Sequence, residues 1–240
     1  MRMGAAMAVP VIKALAFDTG GTVLDWHSGI RAALAEAGNR HGVERDWAGI
    51  TNTYRRRALR GMTNQQNPGF NIDDVHRRVL DELVVEHGLD MFSEAERSVI
   101  ARHWHALDAW PDFPPALRRL RERTIVVSFT ILSVSLIIDT ARRNSLHWDA
   151  VISCEMLDVY KPRPEAYQKA ARLLQLQPHD IMMVACHNFD LDAARNVGYR
   201  TCFVHRPKEW GSAGPPDPVP NPATDLVVAD FAELAQHMGA

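Results

Sequence analysis

Asp18 closes a short apolar run and is followed at once by Thr19, Gly20, Gly21 and Thr22. A carboxylate at the end of a buried strand, with glycines that let the chain turn tightly and a hydroxyl close behind, is placed to react rather than to be solvated. Three further groups fall in comparable positions. Thr130 follows a second apolar run, Lys161 precedes Pro162 with Tyr167 beyond it, and His187, Asn188 and Asp190 stand where another run gives way to a helical pattern. A nearby ammonium and hydrogen bonds from hydroxyls favour the ionised form of a carboxylate. Ionised, Asp18 is a nucleophile for an electrophilic carbon or phosphorus, forming an ester that water then cleaves, while Thr22 and Lys161 hold its oxygens. No general acid is needed when the leaving group is a stable anion. Singly, an Asp after a strand is often a helix cap and a Lys before prolines is often exposed; it is the joint placement that points to a site.

These groups meet only if the runs that carry them are parallel strands sharing one carboxyl edge. Apolar runs at 11–17, 124–129, 150–154, 180–186, 200–205 and 226–229 read as strands. From the second onward they alternate with helical patterns ending at Asn144 and spanning 164–174, 191–197 and 231–238. That alternation predicts an α/β fold, a Rossmann-like parallel sheet with helices on both faces. Between the first and second strands the pattern is helical instead, at 29–41, 47–60, 73–87 and 93–107, with a polar loop at 61–71. The expected division is therefore a core of 1–25 and 111–240 and an inserted helical cap of 26–110. Such a cap lies over the carboxyl edge, where open α/β sheets bind ligands. Residues 1–10 read as a loose terminus, neither signal peptide nor membrane span. The proline-rich stretch 207–222 reads as an irregular surface connection.

The chain has 240 residues, 46% hydrophobic and 23% charged, with 27 Lys and Arg against 29 Asp and Glu and a net charge of −2. No overall field attracts nucleic acid or an anionic membrane, so a charged ligand must be recognised locally. Cys154, Cys186 and Cys202 show no zinc or redox spacing and fit a reducing, cytoplasmic compartment, with Cys186 a buried strand-end thiol. In Tyr54-Arg55-Arg56-Arg57, successive helical side chains point about 100° apart, so only one or two of the arginines can face a site. Trp26 and Trp110 flank the crossings between the two parts and read as packing, with Trp26 the nearer to a substrate. His103 and His105 lack a ligand pattern and read as surface residues.

Asp18-Thr-Gly-Gly-Thr22-Val-Leu-Asp25, Thr130 after its strand, Tyr160-Lys161-Pro162 and the Asp190 segment with Ala193-Ala194 and Gly198 resemble, in order, the four motifs of the haloacid dehalogenase superfamily. The resemblance spans nearly the whole chain, with a helical cap between the first and second motifs. Phosphatases of that superfamily carry a second acid two residues after the nucleophile, where this chain has Gly20, and open the fourth motif with Gly-Asp, where it has Ala185-Cys186. A departing halide needs no protonation and a carbon centre needs no metal, so the chain most resembles the (S)-2-haloacid dehalogenase branch. The resemblance implies hydrolysis of a small 2-haloalkanoic acid to a 2-hydroxy acid through an ester on Asp18, without a cofactor. It implies Asp18, Thr22, Lys161 and Asp190 as catalytic residues and no metal ligands. Arg55, Thr130, Tyr167, His187, Asn188 and Trp26 would face the substrate or halide. Departures remain: Ile131 follows Thr130 where the branch commonly has Asn, and Ala185 and His187 replace its usual Ser and Asn. An Mg²⁺-dependent phosphatase using Asp18, the Gly20 backbone and Asp190, and a non-catalytic binding protein, stay open as alternatives. The expected partner is a small haloacid, with no nucleic acid or membrane; a homodimer is left open.

Overall fold

The computed structural model describes residues 12–63 and 71–240. The expected loose terminus, the first residue of the expected first strand and most of the 61–71 loop lie outside the described residues. Strand β1 (Ala14–Phe17) is followed by helices α1 (Trp26–Arg40), α2 (Trp47–Thr63), α3 (Ile72–Glu86) and α4 (Glu94–Arg102) and a 3-10 turn, His103–Ala106. Helix α5 (Phe113–Arg121) leads into β2 (Ile125–Thr130), after which come α6 (Val134–Asn144), β3 (Ala150–Ser153) and α7 (Pro164–Leu174). The chain closes with β4 (Ile181–Ala185), α8 (Asn188–Val197), β5 (Arg200–Val204), β6 (Leu226–Val228) and α9 (Phe231–His237).

The strands form one six-stranded sheet in the order β3-β2-β1-β4-β5-β6, all pairs parallel. Sheets buried on both faces are near-continuous apolar runs rather than alternating ones, which is why β1 and β4 are buried at every position. The two faces are separated by the pleat. Phe17 of β1 meets Phe113 of α5 and Phe231 of α9, with ring centroids 5.3 and 5.8 Å apart. Ser128 of β2 is the register partner of Phe17, so the next residue, Phe129, points to the other face, where it meets Tyr167 of α7 at 5.4 Å. The predicted Rossmann-like sheet with helices on both faces is thus the observed one. Strand order reverses between β1 and β4, and a crevice at that switch point is where such folds place ligands.

Helix α5 is an element the periodicity did not suggest. Its Pro114-Pro115 pair reads as a break, yet proline is favoured in a first helical turn, where its missing N–H has no partner to lose. The helices α1 to α4 do lie between β1 and β2. Asp25 starts α1 three residues earlier than expected by capping the Ser28 N–H at 3.0 Å. Ser93 and Glu96 form a reciprocal capping box on α4. Among the described residues no helix is long and apolar enough to cross a membrane.

His105 corrects an expectation. It is buried, its Nε2 lying 3.2 Å from Asp73 in the first turn of α3 and its Nδ1 2.7 Å from Asp139 of α6. Asp73 also accepts from Ser133, the N-cap of α6, at 3.0 Å. Two carboxylates from separate elements hold the imidazole inside, tying the helical insertion to the sheet's own helices. The hydrogen bond to Asp73 raises the His105 pKa, burial opposes this, and Asp139 adds to the rise. A folded-state pKa above the unfolded one contributes stability fully present below the unfolded value and lost as pH rises through the folded one. His105→Gln is expected to destabilise the protein by about 1–3 kcal/mol under mildly acidic conditions, the scale of hydrogen bonds to charged groups. Urea unfolding of variant and parent should show that difference shrinking in alkaline buffer.

Candidate active site

Asp18 lies one residue beyond β1, its N–H bound to Val184 O of β4 at 3.0 Å, so the backbone fixes the carboxylate at the switch point. Thr22 donates to Asp18 Oδ2 at 2.8 Å, and its oxygen accepts the Cys186 N–H at 3.1 Å. Lys161, in the loop after β3, donates to Asp18 Oδ1 at 3.2 Å and to Asp190 Oδ2 at 2.6 Å. Tyr167 of α7 donates to the other Asp190 oxygen at 2.5 Å. His187, at the start of α8, places Nδ1 3.2 Å from Asp18 Oδ2. Asp18, Thr22, Lys161, Tyr167, His187 and Asp190 therefore converge, and all are buried.

Burial acts to raise the Asp18 pKa, but the Lys161 charge and the His187 hydrogen bond and charge outweigh it, so Asp18 is held well below the ordinary carboxylate range. Burial pulls Lys161 down while Asp190 and Asp18 more than restore it, leaving its pKa raised. Asp190 is raised by burial and by the Asp18 charge, against the lowering effect of Lys161. The nucleophile candidate is thus the more acidic of the two carboxyls, and Lys161 keeps its proton.

From the helical insertion, Arg55 of α2 reaches the same place. It is 2% exposed, donates through Nη2 to Gly20 O at 3.0 Å, and lies between the Trp26 and Trp104 rings at 5.5 and 5.8 Å. Its Nε and Nη1 have no hydrogen-bond partner among the described residues. A Cβ at Gly20 would stand only 3.1 Å from Arg55 Nη2, so the guanidinium closes on the position where phosphatases of the resembled superfamily carry their second acid. Arg56 is exposed and Arg57 pairs with Glu86.

Two expected residues make their side-chain hydrogen bonds outside the cluster. Asn188 spends its side chain on Val219 O, at 2.9 Å, and on the Asn221 N–H, at 2.9 Å, fastening the following loop. Thr130 accepts the Leu132 N–H at 3.1 Å, tying off the turn after β2. Trp26 is fully buried and reaches the site indirectly, stacking on Arg55 and donating to Glu209 at 3.0 Å.

Glu209 was missed. It belongs to the segment expected to be a surface connection, yet Glu209 is 1% exposed and Trp210 6%. Its Oε1 lies 3.0 Å from His187 Nε2. Burial raises its pKa, but His187, Trp26 and Arg55 lower it further, keeping it ionised. The only available signal was a Glu-Trp pair amid prolines, and nothing local in that pattern shows burial.

The donor set does not fit Mg²⁺, which asks for several hard oxygen ligands. Gly20 brings no carboxylate, and the Lys161 ammonium already bridges Asp18 and Asp190. The ligand atoms of Cys186, His187 and Glu209 lie within 4.8 Å of one another. They are engaged elsewhere: His187 and Glu209 with each other, Glu209 also with Trp26, while burial pushes the Cys186 thiol up to about 11.

A buried, ionised aspartate at the switch point of a parallel sheet, held by lysine beneath a helical insertion, defines the class: a hydrolase built on a Rossmann-like fold with an aspartate in the nucleophile's place. Residues 12–198 match the haloacid dehalogenase-like hydrolase family model, and the chain belongs to that family. It is 27% identical over 202 residues to the (S)-2-haloacid dehalogenase of Pseudomonas sp. strain YL, covering 81% of this chain and 83% of that one. Among solved structures it is similar to a defluorinating L-2-haloacid dehalogenase, at 33% identity and TM-score 0.88, covering 95% of this chain and 96% of that one. Another L-2-haloacid dehalogenase is similar at 31% identity and TM-score 0.88, covering 95% and 99%.

Gly21 makes room for the Glu209 contact. Its φ is +99°, and a Cβ there would overlap the Glu209 carboxylate. Gly21→Ala is expected to cost on the order of 1–3 kcal/mol from backbone strain alone, with overlap adding to it. A lowered urea midpoint together with reduced turnover checks this.

Proposed function

We propose that the protein hydrolyses the carbon–halogen bond of small 2-haloalkanoic acids, giving 2-hydroxy acids through an ester on Asp18, without a metal. The observation that carries the reading is Arg55: a buried guanidinium with two unpartnered nitrogens beside an anionic nucleophile. A cation so placed has donors for the substrate carboxylate or the departing halide, and its planar fork suits both. The similarity to (S)-2-haloacid dehalogenases supports the same substrate class, and the similarity to a defluorinating L-2-haloacid dehalogenase is the reason to include a fluorinated acid among the substrates tested. Residues 26–110 act as the cap and 1–25 with 111–240 as the core, so substrate binds between Arg55 and Asp18.

In the first step a carboxylate oxygen of Asp18 attacks C2, the carbon–halogen bond breaks, and the halide leaves as an anion toward Arg55. Thr22 and Lys161 hold the attacking carboxylate, and Asp190 with Tyr167 holds Lys161. Water then cleaves the ester at the Asp18 carboxyl carbon. The experiment is halide release from chloroacetate, fluoroacetate and both 2-chloropropionate enantiomers, beside a phosphate-ester panel, with and without EDTA. Halide release insensitive to EDTA is expected; Mg²⁺-stimulated phosphate release instead would overturn the reading.

Asp18→Asn removes the anionic nucleophile and should abolish turnover, since the amide cannot form the ester. In single turnover in H₂¹⁸O, label should enter the Asp18 carboxyl before the product. Arg55→Ala should lose on the order of 10²–10³ in kcat/KM, the scale of deleting one preorganised stabiliser. Arg56→Ala and Arg57→Ala, whose side chains face solvent or Glu86, should each cost under about tenfold. Initial rates on the best substrate of the panel check all four variants.

A further inference from the structure

Cys186 Sγ, His187 Nε2 and the Glu209 carboxylate face one another across a small triangle. Sγ is 3.4 Å from Nε2 and 3.6 Å from Oε2, and Nε2 is 3.0 Å from Oε1. Ligand atoms on a tetrahedral zinc, with bonds of about 2.3 Å to sulfur and 2.0–2.2 Å to nitrogen and oxygen, stand roughly 3.3–3.6 Å apart. The three side chains therefore already outline one face of such a coordination shell. We propose that Cys186, His187 and Glu209 form a site for a thiophilic divalent cation of the Zn²⁺ type, and that its occupation reversibly shuts down the Asp18 centre. The binding stands independently of the dehalogenase reading; only the loss of turnover rests on it.

Features beyond the three ligands suit the place to an ion. A zinc-ligating imidazole usually donates its other ring N–H to a carboxylate or carbonyl, which fixes the ring and raises its basicity. His187 has such a partner in Asp18 Oδ2, 3.2 Å from Nδ1, so Nε2 is the nitrogen left for the ion. Glu209 is oriented in the same way, its Oε1 accepting the Trp26 indole N–H at 3.0 Å in the space that Gly21 leaves. A cavity of about 90 Å³ lies against Cys186 beneath the proline-rich segment, lined also by His205, Arg206, Pro207 and Asp217. An ion therefore approaches the thiol without passing beneath Arg55.

Thiolate and imidazole select zinc over magnesium, whose hard oxygen ligands the site lacks. Without an ion, His187 and Glu209 pair with each other. Burial disfavours the His187 imidazolium, but Cys186, Glu209 and Asp18 outweigh it, and burial keeps the Cys186 thiol protonated. A coordinating thiol gives up its proton outright, and the imidazolium gives up the one on Nε2. Bonds from Sγ, Nε2 and the Glu209 carboxylate to the ion form as these two protons leave to solvent. A doubly charged ion thus enters with no change in the net charge of the buried cluster, and no excess negative charge is needed to hold it. The effect on Asp18 runs through Thr22. Its single hydroxyl proton lies 2.8 Å from Asp18 Oδ2 and 3.4 Å from Cys186 Sγ, measured from the oxygen. A metal-bound thiolate accepts more strongly than a thiol and competes for that proton, while the ion pins the His187 ring whose Nδ1 touches the same Asp18 oxygen. Asp18 thereby loses a hydrogen bond that holds it for attack.

The experiment treats the protein with EDTA, removes the chelator, and titrates Zn²⁺ against a chromophoric competitor, with Co²⁺ as a spectroscopic stand-in. About one equivalent of either ion per chain should bind, Co²⁺ with a thiolate-to-cobalt charge-transfer band, and Mg²⁺ should not compete. Cys186→Ala should abolish the band and weaken Zn²⁺ binding by more than the roughly 10–100-fold that loss of an outer-shell partner costs. Trp26→Phe, which removes only the N–H on Glu209, should weaken it within that range. Cys202→Ala, which removes a buried thiol of β5, should leave band and affinity unchanged. In the parent, one equivalent of Zn²⁺ should stop halide release from 2-chloropropionate and EDTA should restore it, whereas Cys186→Ala should keep turning over at that concentration. Co²⁺ bound without the band, a band that persists in Cys186→Ala, or no stoichiometric binding overturns the site. A zinc-loaded parent that releases halide at full rate overturns the shut-down. If Cys186→Ala does not fold, Cys186→Ser takes its place, since it removes the thiolate with little change in size. A parent that releases no halide at all overturns the dehalogenase reading, and the cobalt spectrum still decides the site.

Discussion

The ammonium of Lys161 is the interaction on which the site depends. It lies between Asp18 and Asp190, 2% exposed at its side chain, with the Phe129 ring 4.8 Å from its nitrogen. Two carboxylates this deeply buried cannot both be ionised without a cation between them. Removing one partner of such a buried pair leaves an uncompensated charge, typically a loss of about 3–5 kcal/mol. The parallel sheet supplies the geometry that makes the arrangement affordable. Strand ends β1, β3 and β4 each deliver one member, and Tyr167 closes the remaining Asp190 valence from α7.

A second charged layer is laid over the first. Arg55 enters from the helical insertion and Glu209 from the segment after β5, with His187 between Asp18 and Glu209. Asp18, Asp190 and Glu209 are then matched by Lys161, Arg55 and protonated His187, so the buried cluster is neutral as a whole. Neutrality achieved by side chains leaves the cluster without a net negative charge to draw in a divalent cation. It also couples the parts: any step that removes one charge, as the proposed ester formation on Asp18 would, changes the proton affinity of the others.

The two glycines after Asp18 serve these contacts more than the nucleophile itself. Gly20 offers its carbonyl to Arg55 and its bare Cα lets the guanidinium approach, while Gly21 leaves the space that Glu209 fills. Trp110 donates to Gly21 O at 2.8 Å, and Arg206 to Thr22 O at 2.9 Å, so the loop is also clamped from the far crossing and from the end of β5.

Local chemistry was legible in the sequence. Period and composition disclosed the strands and the helical insertion, because a doubly covered parallel sheet must be built of apolar runs joined by amphipathic helices. Strand-end position singled out Asp18, Lys161, His187 and Asp190, because parallel strands bring their carboxyl ends to one edge. Three things depended on the tertiary structure. Which of three consecutive arginines turns inward is set by the rotation of α2 against its neighbours, and that rotation buries Arg55 between Trp26 and Trp104. Glu209 sits in a stretch whose prolines and polar residues resemble any solvated loop, and only the fold of the chain after β5 carries it to His187. Asn188 and Thr130 have the right chemistry at the right strand ends, yet backbone groups nearby engage the Asn188 amide and the Thr130 oxygen. Sequence determines which groups are available at an edge; competition among neighbours for each donor and acceptor, settled only in three dimensions, decides which remain free to act.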